Sequence, residues 1–192
     1  ARFVAEYPAA RTCFQVDNWQ ALNRRLMAEE IEFFVADTRQ FEADPDYRVH
    51  KLTPQRWHFC CRAGHPLTAQ AEVRARDLFD YPLATTFRPP NIRKILSDLS
   101  GRQDFLPSVE CEHGYALLNV VAHSDTIGIA CSANLRPYQG EGGLVALELV
   151  DLSQEQDDEC YTRYGVVSRV GYGLSPLAQG LVRQLLACDS ET

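Results

Sequence analysis

Arg56-Trp57-His58-Phe59-Cys60-Cys61-Arg62-Ala63-Gly64-His65-Pro66-Leu67 is the stretch on which the fold of this 192-residue chain turns. Its first half is short, rich in aromatic and apolar side chains, and reads as a buried strand. Gly64, His65 and Pro66 then break the extended run and read as a turn. Upstream, Trp19, Leu22, Leu26 and Met27 recur at helical spacing behind Asp17, a candidate N-cap with Gln20 placed to reciprocate, which predicts a helix over 18–29. Ile31 to Ala36 follows at once as a second nearly continuous apolar strand. A helix feeding a buried strand marks an α/β chain.

The alternation continues downstream. Leu83 to Thr86 reads as a strand. Ile92, Ile95, Leu96 and Leu99 make a helical stripe stopped by Gly101. Ser108 to Glu112 is extended, Tyr115 to His123 helical, and Ile127 to Cys131 a buried strand. Val145, Leu147 and Leu149 alternate within Leu144 to Val150. After a polar acidic stretch, Gln154 to Glu159, a last strand, Tyr164 to Arg169, leads into a helix with Ser175 as N-cap, Pro176 as first residue and a buried stripe of Leu177, Leu181, Val182 and Leu185. Such alternation predicts a mostly parallel sheet. Phe3, Val4 and Tyr7 before Pro8 look like the tail of a helix, so a fragment of a longer protein is expected.

Composition narrows the function classes. The net charge of −7, without a cluster of five lysines and arginines, gives no footprint for phosphate-backbone binding. The apolar runs fall short of the ~18 residues that a membrane span needs, and no signal-peptide plan opens the chain. Seven cysteines form an odd set with no C-x-x-C pair, which suits reduced thiols in a cytoplasmic protein and gives no zinc-ligand spacing. Neither a cofactor nor a metal is expected. No nucleophile elbow, Gly-rich phosphate loop or H-E-x-x-H helix is present, so no enzyme is expected either.

Four stretches together resemble the effector-binding domain of LysR-type transcriptional regulators. Arg62 to Leu67, followed by Arg76-Asp77-Leu78-Phe79-Asp80-Tyr81-Pro82-Leu83, is similar to the family's HPL turn with its spaced D-L and proline before a strand. Leu22 to Ala36 resembles its helix–strand unit, with Glu32 where an aspartate is usual. Leu117 to Ala130 resembles its V-x-x-G-x-G-I-A unit, and Leu174 to Gln179 its closing L-S-P-A-A helix. Each motif is weak alone; their order and intervals over nearly the whole chain carry the resemblance.

The resemblance implies an α/β, two-lobed fold like that of type 2 periplasmic binding proteins, with mixed sheets flanked by helices and a ligand cleft between lobes. Lobe I would be 1–76 plus 160–192, lobe II 77–159, with the acidic stretch as the return crossover. It also implies a small polar or carboxylate-bearing effector, a homodimer or tetramer, allosteric control of transcription, and DNA contact only through a winged helix-turn-helix outside these residues. The alternative is an extracytoplasmic solute-binding receptor of the same fold.

Candidate effector contacts follow from strand ends. Arg62 could grip a carboxylate through two parallel bonds or pair with a surface carboxylate. Thr38 and Arg39, after Asp37, would line lobe I; Thr85, Thr86 and Arg88 would line lobe II or cap loops. Glu112 and His113 precede a helix start that favours an anion, although the charge of Glu112 opposes one. His113 could contact ligand or cap its helix. His65 is expected to be structural.

Overall fold

The computed structural model describes residues 1–86, 90–111, 113–138, 140 and 143–190. The chain divides into two compact units: residues 1–54 with 163–192, and residues 55–162. The first unit is discontinuous, and the second, inserted in it, begins at Gln55. The reason is the pairing of Gln55–Arg62 with strands of the second unit, which carries the HPL turn with it.

Unit one opens with helix α1 (Arg2–Glu6), helix α2 (Trp19–Met27), strand β1 (Phe33–Asp37) and strand β2 (Tyr47–Lys51). In unit two follow β3 (Gln55–Arg62), β4 (Leu83–Thr85), α3 (Pro90–Ser100), β5 (Val109–Glu110), α4 (Gly114–Ala122), β6 (Ile127–Cys131), α5 (Ser132–Leu135), β7 (Leu144–Leu147), α6 (Gln154–Glu159) and β8 (Tyr161–Thr162). The chain then returns to unit one as β9 (Tyr164–Arg169) and α7 (Pro176–Ser190).

Unit one is a sheet of order β1-β9-β2 in which both pairings are antiparallel. Its core joins Phe34, Ala36 and Val167 of the sheet to Leu26 of α2 and to Phe41. The Phe41 ring lies edge-on to Phe34, Tyr47 and Trp19 with centroids 5.4, 5.1 and 5.8 Å away. Such buried side chains contribute about 1.5–3 kcal/mol each. The α2 cap is Asn18 and not Asp17. Helical geometry starts at Trp19, so Asn18 Oδ1 accepts the Ala21 N–H at 2.9 Å while Asp17 accepts the N–H of Asn18 at 2.9 Å.

Ser175 begins α7 as expected, and Glu32 secures it by accepting from the Ser175 N–H at 2.5 Å and hydroxyl at 2.8 Å. Of the expected stripe Val182 is buried, Leu181 and Leu185 are half-buried and Leu177 is 46% exposed, while Ala178 and Gly180 complete the buried face. Small residues are needed there because a Cβ on Gly180 would sit 3.2 Å from the Tyr7 hydroxyl oxygen.

Unit two has the order β5-β4-β6-β3-β7, with β8 against the start of β3. Only β4 runs parallel to its neighbours, β5 and β6; β3 is antiparallel to β6, β7 and β8, so the sheet is mixed rather than mostly parallel. Helix α4 lays Leu117, Leu118 and Val121 on Cys60, Ala84 and Ala130. The approach is close enough that a Cβ on Gly128 would lie 2.6 Å from Val121 Cγ2. The acidic stretch is not irregular: Ser153 and Gln156 form a reciprocal cap that starts α6, with bonds of 3.2 and 3.0 Å.

His65 is structural, as expected. It is buried, its Nδ1 accepts the Leu67 N–H at 3.1 Å, and its Nε2 therefore carries the proton toward the Asp125 carbonyl at 3.2 Å. Among the described residues no helix is long and apolar enough to cross a membrane.

Candidate functional site

Strands β4, β5 and β6 end at one edge of unit two, and carboxyl ends of parallel strands are where open α/β sheets bind ligands. Thr85, Thr86 and His113 lie on this edge. Thr85 is buried and donates its hydroxyl to the Thr86 carbonyl at 2.9 Å; Thr86 is half-buried. His113 is exposed and makes no side-chain cap to α4. The first turn of α4 leaves backbone N–H groups outside its own ladder, with the positive end of the helix dipole behind them. Arg88 and Glu112 lie outside the described residues.

Arg62 does not join this edge. Trp57 pairs with Cys131 and Cys60 with Gly128, so β3 runs away from the carboxyl end of β6 and delivers Arg62 to the opposite edge. There its Nε and Nη2 bond Asp125 Oδ1 at 3.0 and 2.6 Å. Of the two readings open from sequence, the structure shows the surface ion pair. The same antiparallel register brings the start of β3 to the edge where β4 and β6 end, so His58 reaches Ser132 just after β6, Nε2 to Oγ 2.9 Å. Neither was singled out from sequence. Strand direction decides which end of β3 matters, and apolar patterning does not report direction.

In unit one, Thr38 and Arg39 follow β1 as expected, but both are engaged locally. Thr38 is fully buried; its N–H donates to the Arg163 carbonyl at 2.9 Å and its hydroxyl faces Glu42 at 2.6 Å and the same carbonyl at 3.0 Å. The β1–β9 pairing covers it, which corrects the expectation of a rim contact. Arg39 grips Asp37 through Nε and Nη2, the shortest bond being 2.7 Å. Burial pushes the Asp37 carboxyl up, but its bonds to Arg39 outweigh that and hold it below its ordinary value. Lys51 and Thr38 hold the Glu42 carboxyl low in the same way.

No disulfide joins the seven cysteines, all of them among the described residues; Cys60, Cys61, Cys131 and Cys160 are buried, Cys111 is half-buried, and Cys13 and Cys188 are exposed. Burial pushes the Cys61 and Cys160 thiols up to about 11, which disfavours the thiolate at neutral pH. Among the described residues no group of three metal-ligating side chains gathers.

The chain is thus built of two α/β units, with strand ends and a helix start collected on one edge of the second. The model of the LysR substrate binding domain matches residues 1–188, and the chain belongs to that family. A curated relative, the SDS degradation transcriptional activation protein of Pseudomonas sp. (strain ATCC 19151), is 35% identical over 195 residues, covering 100% of this chain and 61% of the relative. The chain thus spans about three fifths of that relative's length. The regulatory domain of CcmR from Synechocystis PCC6803, solved with 2-PG, superposes with a TM-score of 0.75 at 17% identity over 100% of this chain and 89% of that one. The effector binding domain of QuiR, solved with shikimate, gives 0.67 at 16% identity over 99% and 90%. These two likenesses show the fold.

Proposed function

We propose that this chain is the effector-sensing part of a LysR-type transcriptional regulator that works in the cytoplasm, with DNA read by another part of the protein. The observation that carries the reading is the family match across residues 1–188. The gathering of Thr85, Thr86, His113 and the α4 start on one sheet edge supports ligand binding there. The family also favours a regulator over a solute receptor.

The effector is small and polar, and its binding shifts the population of regulator conformations by its differential affinity for them. The domain works as a homodimer. Helix α4 is apolar nearly all round, leaving Tyr115 78% and Val120 37% exposed, which fits a helix that meets a second protein surface. A net charge of −7 fits a chain that leaves DNA contact to other residues.

A thermal-shift screen at fixed protein concentration tests the reading with amino acids, alkyl sulfates, alcohols and aromatic and aliphatic carboxylates. A ligand at a hundred times its dissociation constant adds about 2.7 kcal/mol of stability. One selective chemical class of hit is expected; a flat screen across all classes counts against effector sensing by this chain.

A further inference from the structure

Helices α1 and α7 pack together in unit one, and their contact leaves an open groove of about 290 Å³. That volume stands at the small end for ligand pockets, which run from about 300 Å³ upward. Helical spacing sets its lining. Arg2 and Glu6 stand one turn apart on α1, and Gly180, Arg183, Gln184 and Ala187 fall at i, i+3, i+4 and i+7 on α7, so each set shares a face. Two of these residues carry no bulk and make the space. Gly180 sits against the Tyr7 ring, where the helices close, and Ala187 lies two turns further along α7.

The fold matches the polar groups of this groove only in part. Gln184 donates its side-chain N–H to Glu6 Oε2 and so bridges the two helices. Its own carbonyl oxygen, Oε1, is buried and has no donor among the described residues. A buried acceptor without a donor is costly, so this position calls for an N–H or O–H. Arg183 is exposed and makes no hydrogen bond or ion pair among the described residues. With Arg2 it sets two guanidiniums against the single carboxylate of Glu6, which makes the groove positive on a chain whose net charge is −7.

These demands select a zwitterion. A simple carboxylate would satisfy Arg183 and leave Gln184 Oε1 unmatched, while a simple amine would match Oε1 and be repelled by the guanidiniums. An α-amino acid supplies both groups on one carbon: an ammonium for Gln184 Oε1 and Glu6, and a carboxylate that a guanidinium can hold by two parallel bonds. We propose that the α1–α7 groove is a binding site of unit one for an α-amino acid, with Arg183 on the carboxylate, Gln184 and Glu6 on the ammonium, and Ala187 leaving room for an apolar side chain. The site is built from unit one alone and does not depend on the sensing role of the strand ends in unit two.

The test titrates four probes with the same isobutyl group into the whole chain: L-leucine, 2-hydroxy-4-methylpentanoate, 4-methylpentanoate and 3-methylbutylamine. NMR follows the Gln184 side-chain amide, the Ala187 methyl and the backbone signals of 180–187. L-Leucine is expected to shift them, and the other three should bind at least about fivefold more weakly, because each lacks one charged contact. Arg183→Ala should weaken L-leucine roughly five- to tenfold, with Arg183→Lys recovering part of the loss. Ala187→Leu, at an exposed position where leucine keeps the helix, should fill the groove and abolish binding. Unmoved signals at 180–187 with L-leucine overturn the proposal, as does binding that Arg183→Ala and Ala187→Leu both leave unchanged. Equal binding of 4-methylpentanoate or the hydroxy acid through the same signals overturns the amino-acid class. L-Leucine shifts confined to Thr85, Thr86 and His113 overturn the groove and leave effector sensing by unit two standing.

Discussion

Arg62 holds Asp125 by two hydrogen bonds to a single carboxylate oxygen, at the edge of unit two opposite the ends of β4, β5 and β6. The pair is exposed, 33% for the arginine side chain and 52% for the aspartate, so water screens it and its net contribution is under about 1 kcal/mol. Arg62→Ala and Asp125→Ala should each lower the urea midpoint slightly and leave effector affinity unchanged. Calorimetry against any hit from the screen decides this. A tenfold loss with Arg62→Ala that Asp125→Ala does not share would return Arg62 to the site.

The contrast between Arg62 and His58 shows what was legible in the sequence. Element identity was readable, because periodicity and capping are local: α4, β6, β9 and the Ser175 start of α7 fall where the pattern puts them. Strand direction is a long-range property, and it alone decides whether the first or last residue of β3 meets the edge where β4, β5 and β6 end. β2 was missed although Tyr47 to Lys51 alternates apolar and charged side chains, since such half-buried edge strands lack the continuous apolar run that marked the others. Thr38 was readable as a strand-end residue, but its burial depends on β9, which returns from more than a hundred residues away.

Thr38 also explains why residue 165 is glycine. A Cβ there would stand 2.4 Å from Thr38 Cγ2 and 2.9 Å from the His50 carbonyl oxygen. Overpacking of this kind costs about 1–3 kcal/mol. Gly165→Ala should lower the melting temperature of unit one accordingly, and Thr38→Ser, which removes the Cγ2, should recover part of the loss while leaving the His50 contact. Full additivity of the two substitutions in a double-mutant cycle would show that they do not press on one another.

The Asp37–Arg39 pair makes acid stability a test of the β1 end. Because the folded carboxyl titrates below its ordinary value of 3.8, its contribution is present above that pH and is lost as pH falls through the lower folded value. Asp37→Asn should therefore flatten the decline in the urea midpoint on acidification below about pH 4, with Glu42→Gln acting in the same direction. An unchanged acid limb in both variants would mean that neither carboxylate is held as the structure shows.

Thiol chemistry reports the burial of β3 and of the residues that lead into β8 directly. Cys61 and Cys160 are shielded from reagent and have thiols raised to about 11, whereas Cys13 and Cys188 are exposed. Reaction requires both thiolate and access. At pH 8 an aromatic disulfide reagent should label Cys13 and Cys188 quickly and Cys111 more slowly, with all seven cysteines reacting once the chain is unfolded. Mass mapping of the labelled peptides identifies each site. Because Cys160 lines a recess at the start of β3, its labelling rate also reports how often that corner opens. Fast labelling of Cys160 beside slow labelling of Cys61 would place the opening at this corner rather than along the whole strand, whereas fast labelling of both would show that β3 is not buried as the structure has it.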